Sequence, residues 1–222
     1  YARCIAPLLD RSTDPLRAVG VHGQTLFHAP PLTMQSIDAA KLATMLGVPV
    51  VSDFRRADCA LGGQGAPLVP MADYVLFRSQ RENRVMLNLG GIANITVIPA
   101  SASIADVIAF DTGPANCISD HLCKQHEPEG PGFDRGGARA LKGRALEPLV
   151  RAVLAHRYFR RKPPKSTDGP EMIDAFMSAR MVQAPDAPLN DLLASAATVC
   201  ARAIARATGP VSIIAADRKS VV

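Results

Sequence analysis

At 222 residues with 48% apolar side chains, the chain is long enough to bury the core of one large domain or two small ones. Its net charge of +5 is modest, Lys and Arg are scattered except between Arg157 and Lys165, and no known nucleic-acid-binding module accompanies them, which argues against a nucleic-acid partner. No apolar stretch reaches the length of a membrane span and no signal-peptide pattern opens the chain, while five cysteines, an odd number without Cys-x-x-Cys spacing, read as reduced thiols of a soluble, cytoplasmic protein.

Strand and helix alternate along the chain. Ala18 to Val21 reads as a strand leading into the His22-Gly-Gln-Thr25 loop, Ile37 to Leu46 as a helix, and Val48 to Ser52 as a second strand. This βαβ order favours a parallel or mixed sheet with helices packed on it. Gly62 to Pro70 holds too much glycine and proline for regular structure. A short helix from Ala72 to Arg78 follows. The polar Ser79-Gln-Arg-Glu-Asn83 marks the expected domain boundary, with 1–83 before it and 84–222 after.

Beyond it come strands around Val85 and Ile108, a helix from Asn116, a loop rich in Pro and Gly up to Gly137, and helices near Ala138 to Phe159 and Glu171 to Met181. Asn190 to Thr208 carries the clearest helical stripe: Leu192, Leu193, Ala196, Val199, Cys200, Ala203 and Ile204. Gly209-Pro210 stops it, and Val211 to Ala216 reads as a buried strand.

Two segments carry chemistry. Leu87-Asn-Leu-Gly-Gly-Ile-Ala-Asn-Ile-Thr96 and Ile108-Ala-Phe-Asp-Thr-Gly-Pro-Ala-Asn116 are apolar strands that run into polar turns. Gly90-Gly91 removes two side chains where a phosphate oxygen has to approach backbone amides, and Asp111 ends a hydrophobic strand before a Gly-Pro break. The competing reading is a pair of tight turns, with Asp111 capping the helix after Pro114. The Gly-Gly segment is no dinucleotide fingerprint, because a strand, not a helix, follows it.

A strand, Gly-Gly turn and second strand is similar to the second phosphate loop of the sugar kinase, actin and Hsp70 superfamily. Val21-His-Gly-Gln-Thr25, Val51-Ser-Asp-Phe-Arg55, Gly62-Gly-Gln-Gly-Ala-Pro-Leu-Val-Pro70, Phe110-Asp-Thr-Gly-Pro114 and Pro163-Pro-Lys-Ser-Thr167 then occur in the order found in anhydro-N-acetylmuramic acid kinases, from about Val19 to Asn190. The resemblance implies an α/β, two-lobed actin-like (RNase H-like) sugar kinase fold. It implies an ATP-dependent kinase that opens the 1,6-anhydro ring of anhydro-N-acetylmuramic acid with water and phosphorylates O6, in peptidoglycan recycling. Mg2+ is expected to come with ATP and not from a protein cage.

Residue by residue, Asp111 matches the catalytic base. Gly90, Gly91, Asn94 and Gly113 fall on the nucleotide-phosphate turns, and Gln24, Thr25, Arg55 and Gly65 on the sugar-binding loops. Arg55 suits the lactyl carboxylate because a guanidinium binds a carboxylate through two parallel bonds. Arg56 is its adjacent competitor, and Asp53 and Asp58 are placed to hold these arginines by ion pairing. His22 reads more naturally as a satisfied histidine. Lys165 to Thr167 reads as a helix start capped by Thr167 or Asp168. A kinase for another sugar and a non-catalytic muropeptide-sensing module remain as alternatives, and the oligomeric state stays open, a homodimer included.

Cys117, His121, Cys123 and His126 have metal-friendly spacing, but on a helix Cys117 and His121 share a face that Cys123 and His126 do not. No metal site is therefore expected. Both ends read as cut: the family's N-terminal phosphate loop is missing before Tyr1, and Asp217 to Val222 departs from its adenosine loop. ATP binding by these 222 residues alone is accordingly in question.

Overall fold

The computed structural model describes residues 1–9, 15–208 and 212–217, the side chains of 9 and 212–217 excepted. Backbone contacts gather the chain into two compact units, Tyr1–Leu68 and Val69–Val222. The division falls earlier than the polar Ser79–Asn83 stretch expected to mark it. The helix Pro70–Phe77 accounts for the difference: it docks on the second unit's sheet through Thr96, whose hydroxyl donates to Asp73 Oδ2 at 2.6 Å, and on the turn after it through Tyr74, whose hydroxyl donates to the Ala102 carbonyl at 3.0 Å.

In the first unit, α1 (Ala2–Leu9) precedes β1 (Val19–Gly20), the hairpin β2 (Gln24–Ala29) and β3 (Leu32–Ser36), α2 (Ala39–Leu46), β4 (Val50–Val51) and α3 (Phe54–Ala60). β1 and β4 pair in parallel, Val19 with Val50 and Gly20 with Val51, as the βαβ reading anticipates, although each strand is only two residues long. The Asp38 carboxylate accepts the Lys41 amide at 2.8 Å to start α2, and Gly47 at φ 66° ends it. The β2–β3 hairpin replaces the loop expected over Gln24 and Thr25. Leu26 and Leu32 are 62% and 69% exposed, so no buried face writes a clear alternation into the sequence.

The second unit holds α4 (Pro70–Phe77), β5 (Arg84–Leu89), β6 (Ile92–Ile98), β7 (Ile108–Pro114), α5 (Asn116–His126), α6 (Glu147–Leu154), α7 (Gly169–Gln183), α8 (Leu189–Thr208) and β8 (Ser212–Asp217), with short 3-10 turns between. The expected helical stretch from Ala138 to Phe159 is a series of pieces: a 3-10 turn at Ala140–Lys142, α6, and another 3-10 turn at Arg157–Arg160.

Strand order is β7-β6-β5-β8, with β5 antiparallel to β6 and parallel to β8. On one face Val85, Leu87, Ala93, Ile95 and Phe110 pack with Ile204 of α8. Behind them Ile118, Leu122, Leu149, Val150, Phe176, Leu192, Leu193 and Val199 form the interhelical core. Burial of each such side chain contributes roughly 1.5–3 kcal/mol. The α8 stripe read from the sequence is the stripe that is buried, Cys200 being half-buried. Ser195, fully buried on α8, donates to the Asp191 carbonyl at 2.7 Å and accepts the Leu146 amide at 2.9 Å, which fixes the start of α6.

Candidate active site

Strand register builds a polar row in the second unit. Asn88 of β5 pairs with Asn94 of β6, and Asn94 pairs with Asp111 of β7. Directly paired residues project to one face, here the face opposite α8. Met86, Thr96 and Ile98 share that face farther from the Gly90–Gly91 turn and are buried; the Asn88–Asn94–Asp111 row is half-buried. A bulge in β7 after Asp111 shapes the row. Asp111 pairs with Asn94 and Gly113 with Ala93, leaving Thr112 as the extra residue, its hydroxyl donating to the Ala93 carbonyl at 3.2 Å.

The Gly90–Gly91 turn joins β5 to β6 next to this row. The Gly90 carbonyl accepts the Asn116 amide, and the Gly91 carbonyl accepts those of Ala115 and Cys117, all at 3.0 Å. These bonds, not a side chain, satisfy the start of α5. Asp111 therefore does not cap that helix, and the capping alternative is set aside. Because a trans peptide opposes its C=O and N–H, pointing the Gly90 carbonyl at α5 aims the Gly91 amide away from it. A Cβ added at Gly91 would meet nothing within 4 Å, so the backbone is open to close approach there.

Gly113 is different. It is buried at φ 146°, and a Cβ there would lie 2.8 Å from the Phe159 ring. Backbone conformation and packing against Phe159 both account for its lack of a side chain.

The Asp111 carboxylate accepts the Thr167 amide at 3.0 Å, two residues before α7 begins. Asp168 caps α7 by accepting the Glu171 amide at 2.8 Å. Burial raises the Asp111 pKa above the ordinary carboxylate value, and the Thr167 amide bond opposes that shift. The sequence reading offers Thr167 only as a helix cap, and does not suggest Tyr158, which donates to the Asp111 carbonyl. Tyr158 sits in the basic run between Arg157 and Lys165, yet it is fully buried. Asn88 is likewise not singled out in the sequence reading, though it carries a local signal: a polar residue between Leu87 and Leu89, two positions before the glycines.

In the first unit Arg55 gathers two of the expected loops. Its Nε donates to His22 Nε2 at 2.8 Å and its NH1 to the Gly65 carbonyl at 2.6 Å. His22 Nδ1 lies 2.9 Å from the Gly23 carbonyl, which fits a neutral ring that donates from Nδ1 and accepts at Nε2. Asp58, expected to pair with an arginine, accepts the Gly65 amide at 2.6 Å. Asp53 does pair with Arg56, at 2.5 Å on the surface. Gly65, at φ 66°, has no room for a side chain: a Cβ would lie 2.8 Å from Cys59 Sγ.

His28, absent from the sequence reading, stands on β2 with its ring beside Gly65. Its Nδ1 lies 2.9 Å from Thr33 Oγ1, and partial burial together with the nearby Arg55 charge lowers its pKa. Gln24 and Thr25 lie on β2. Thr25 Oγ1 accepts from Gln35 at a long 3.5 Å, and the exposed Gln24 amide donates to the Thr25 carbonyl, also at 3.5 Å. The structure thus joins Arg55 and Gly65 within one unit, and Asp111, Asn94, Gly90 and Gly91 within the other.

Among the described residues no helix is long and apolar enough to cross a membrane, and no group of three or more His, Cys, Asp or Glu is placed to hold a metal ion. α5 is helical across Cys117 to His126, and burial pushes the Cys117 thiol up to about 11.

The chain is 44% identical to an anhydro-N-acetylmuramic acid kinase of Salinibacter ruber over 213 residues, 86% of this chain and 51% of the relative. It is 41% identical to one from Gloeobacter violaceus over 217 residues, 93% of this chain and 56% of the relative. With one from Cupriavidus metallidurans the identity is 44% over 176 residues, 75% of this chain and 46% of the relative. The chain thus spans about half the length of the curated relatives it matches. Residues 1–221 match the protein family described as anhydro-N-acetylmuramic acid kinase, and the chain belongs to that family.

Proposed function

We propose that the intact protein is an ATP-dependent kinase that hydrolytically opens the 1,6-anhydro ring of anhydro-N-acetylmuramic acid and phosphorylates O6. The product is N-acetylmuramic acid 6-phosphate, formed in peptidoglycan recycling in the cytoplasm. The observation that carries this reading is Asp111: a half-buried carboxylate on the polar face of the sheet, in register with Asn94 and close in the fold to the Gly90–Gly91 turn. Family membership supplies the reaction class.

Two events are coupled in this reaction. Asp111 takes a proton from the water that attacks the anomeric carbon, and the departing O6 attacks the terminal phosphate of ATP in line. The Thr167 amide keeps the carboxylate oriented, while burial leaves its conjugate acid weaker than an ordinary aspartic acid and so makes the carboxylate a better base. The open Gly91 backbone fits a phosphate oxygen, with Gly90, Asn94 and Gly113 shaping that turn. Mg2+, carried with ATP, neutralises phosphate charge. Gln24, Thr25, Arg55 and Gly65 hold the sugar. In this reading the two units belong to the two lobes of an actin-like fold, the first holding sugar loops and the second the phosphate turn and base.

The test is carbon-13 and phosphorus NMR of the product formed by the intact protein from anhydro-N-acetylmuramic acid and ATP in 18O-enriched water, read before the new hemiacetal exchanges its oxygen with solvent. The reading requires a 6-phosphate with the label at the anomeric carbon and none in the phosphate. Sugar binding without turnover would instead favour a sensing module, and turnover of another sugar alone would reassign the substrate.

A further inference from the structure

Asp111 is held by its main chain as well as by its side chain. β7 is an edge strand, so the backbone groups of Asp111 that face away from β6 need partners outside the sheet. The Asp111 N–H donates to the Lys165 carbonyl at 3.0 Å, and its carbonyl accepts the Tyr158 hydroxyl at 2.5 Å. Tyr158 is fully buried and meets Phe159 edge to face at 5.5 Å. Lys165 Nζ stands 4.6 Å over the Tyr158 ring and 3.4 Å from its carbonyl, closing the segment 158–165 on itself. Phe159 occupies the space beside Gly113. The dipeptide therefore grips β7 on both sides of the Thr112 bulge, Tyr158 at Asp111 and Phe159 at Gly113.

We propose that Tyr158 is a positioning residue for Asp111: its buried hydroxyl locks the strand carbonyl from which the catalytic carboxylate projects. The inference rests on Asp111 being the base. Desolvation, then the neighbouring Asp111 and Glu171 charges, pushes the phenol pKa up, so the hydroxyl stays a donor throughout the working pH range. Tyr158 touches no reacting atom. Its effect runs through geometry, where a small displacement of a catalytic group costs rate and leaves binding intact.

The experiment compares Tyr158→Phe, Asp111→Asn and the double variant in the intact protein. Phenylalanine keeps the buried ring and removes only the hydroxyl. Tyr158→Phe should lower kcat roughly 10-fold with KM for sugar and ATP unchanged, while adding little to the loss already present in Asp111→Asn, since the carboxylate it positions is gone. Backbone amide exchange at Asp111 should quicken in Tyr158→Phe while that at Ile95, in the sheet interior, does not. An unchanged kcat, or an equal loss on both backgrounds, overturns the positioning role and leaves Tyr158 structural. If the residual rate of Asp111→Asn is too low to measure, amide exchange decides: equal exchange at Asp111 in wild type and Tyr158→Phe overturns it. Wild-type turnover by Asp111→Asn is a different result, which sinks the base assignment itself.

Discussion

The Asp111 carboxylate and the Thr167 amide meet at 3.0 Å, so the middle of β7 and the approach to α7 converge on a single ionisable group. Burial raises the pKa of that carboxylate although the amide favours its charged form, which places Asp111 in an environment that costs stability when it is ionised.

Replacing Asp111 with Asn should accordingly separate catalysis from folding. Asn keeps an acceptor for Thr167 but cannot act as a base, so kcat should fall by roughly 10²–10⁴-fold with sugar binding retained. The melting temperature at pH 7 should hold or rise, because the charge that burial disfavours is removed. Turnover at the wild-type rate would make Asp111 structural.

The pH dependence follows with its sign. A carboxyl whose folded pKa is raised contributes stability that is fully present below its unfolded pKa, about 3.9, and lost as pH rises through the folded value. The stability advantage of Asp111→Asn over wild type should therefore be present near neutrality and vanish in acid. Activity runs the other way, because only the ionised base works: the acid limb of kcat/KM should lie above the ordinary aspartate value. A limb at or below that value would contradict a buried base.

Arg55 binds two loops of the first unit, through His22 and the Gly65 carbonyl. A lysine cannot place two donors in that fork, so Arg55→Lys should raise KM for the anhydro-sugar more than KM for ATP and lower the melting temperature. Arg56→Ala should change little, since its side chain is 68% exposed and its partner Asp53 is on the surface. Sugar kinetics unchanged in Arg55→Lys and altered in Arg56→Ala would exchange their roles.

Gly113→Ala tests packing against phosphate binding. The added Cβ would sit 2.8 Å from the Phe159 ring at a φ of 146°, so a loss of about 1–3 kcal/mol in denaturant unfolding is expected. Phe159→Leu should recover part of it. Full stability combined with a raised KM for ATP would show that Gly113 serves the nucleotide instead.

Features that rest on local pattern are written in the sequence. The α8 stripe from Leu192 to Ile204 repeats at helical spacing, Asp38 and Gly47 bracket α2, and the strands around Gly90–Gly91 and before Asp111 are apolar runs ending in turn residues. Contacts distant in sequence were decided only by tertiary structure. Tyr158 carries no local sign of burial, because three arginines and two lysines surround it between 157 and 165; its place comes from the edge of β7, which needs a donor for the Asp111 carbonyl. Thr167 reaches Asp111 through a backbone amide, which every residue but proline possesses, so its identity announces nothing. The β2–β3 hairpin was hidden for a related reason: with Leu26 and Leu32 exposed, no buried face imposes a period of two. Pattern records what an element buries along its own length, and the partners of Asp111 belong to segments some fifty residues away.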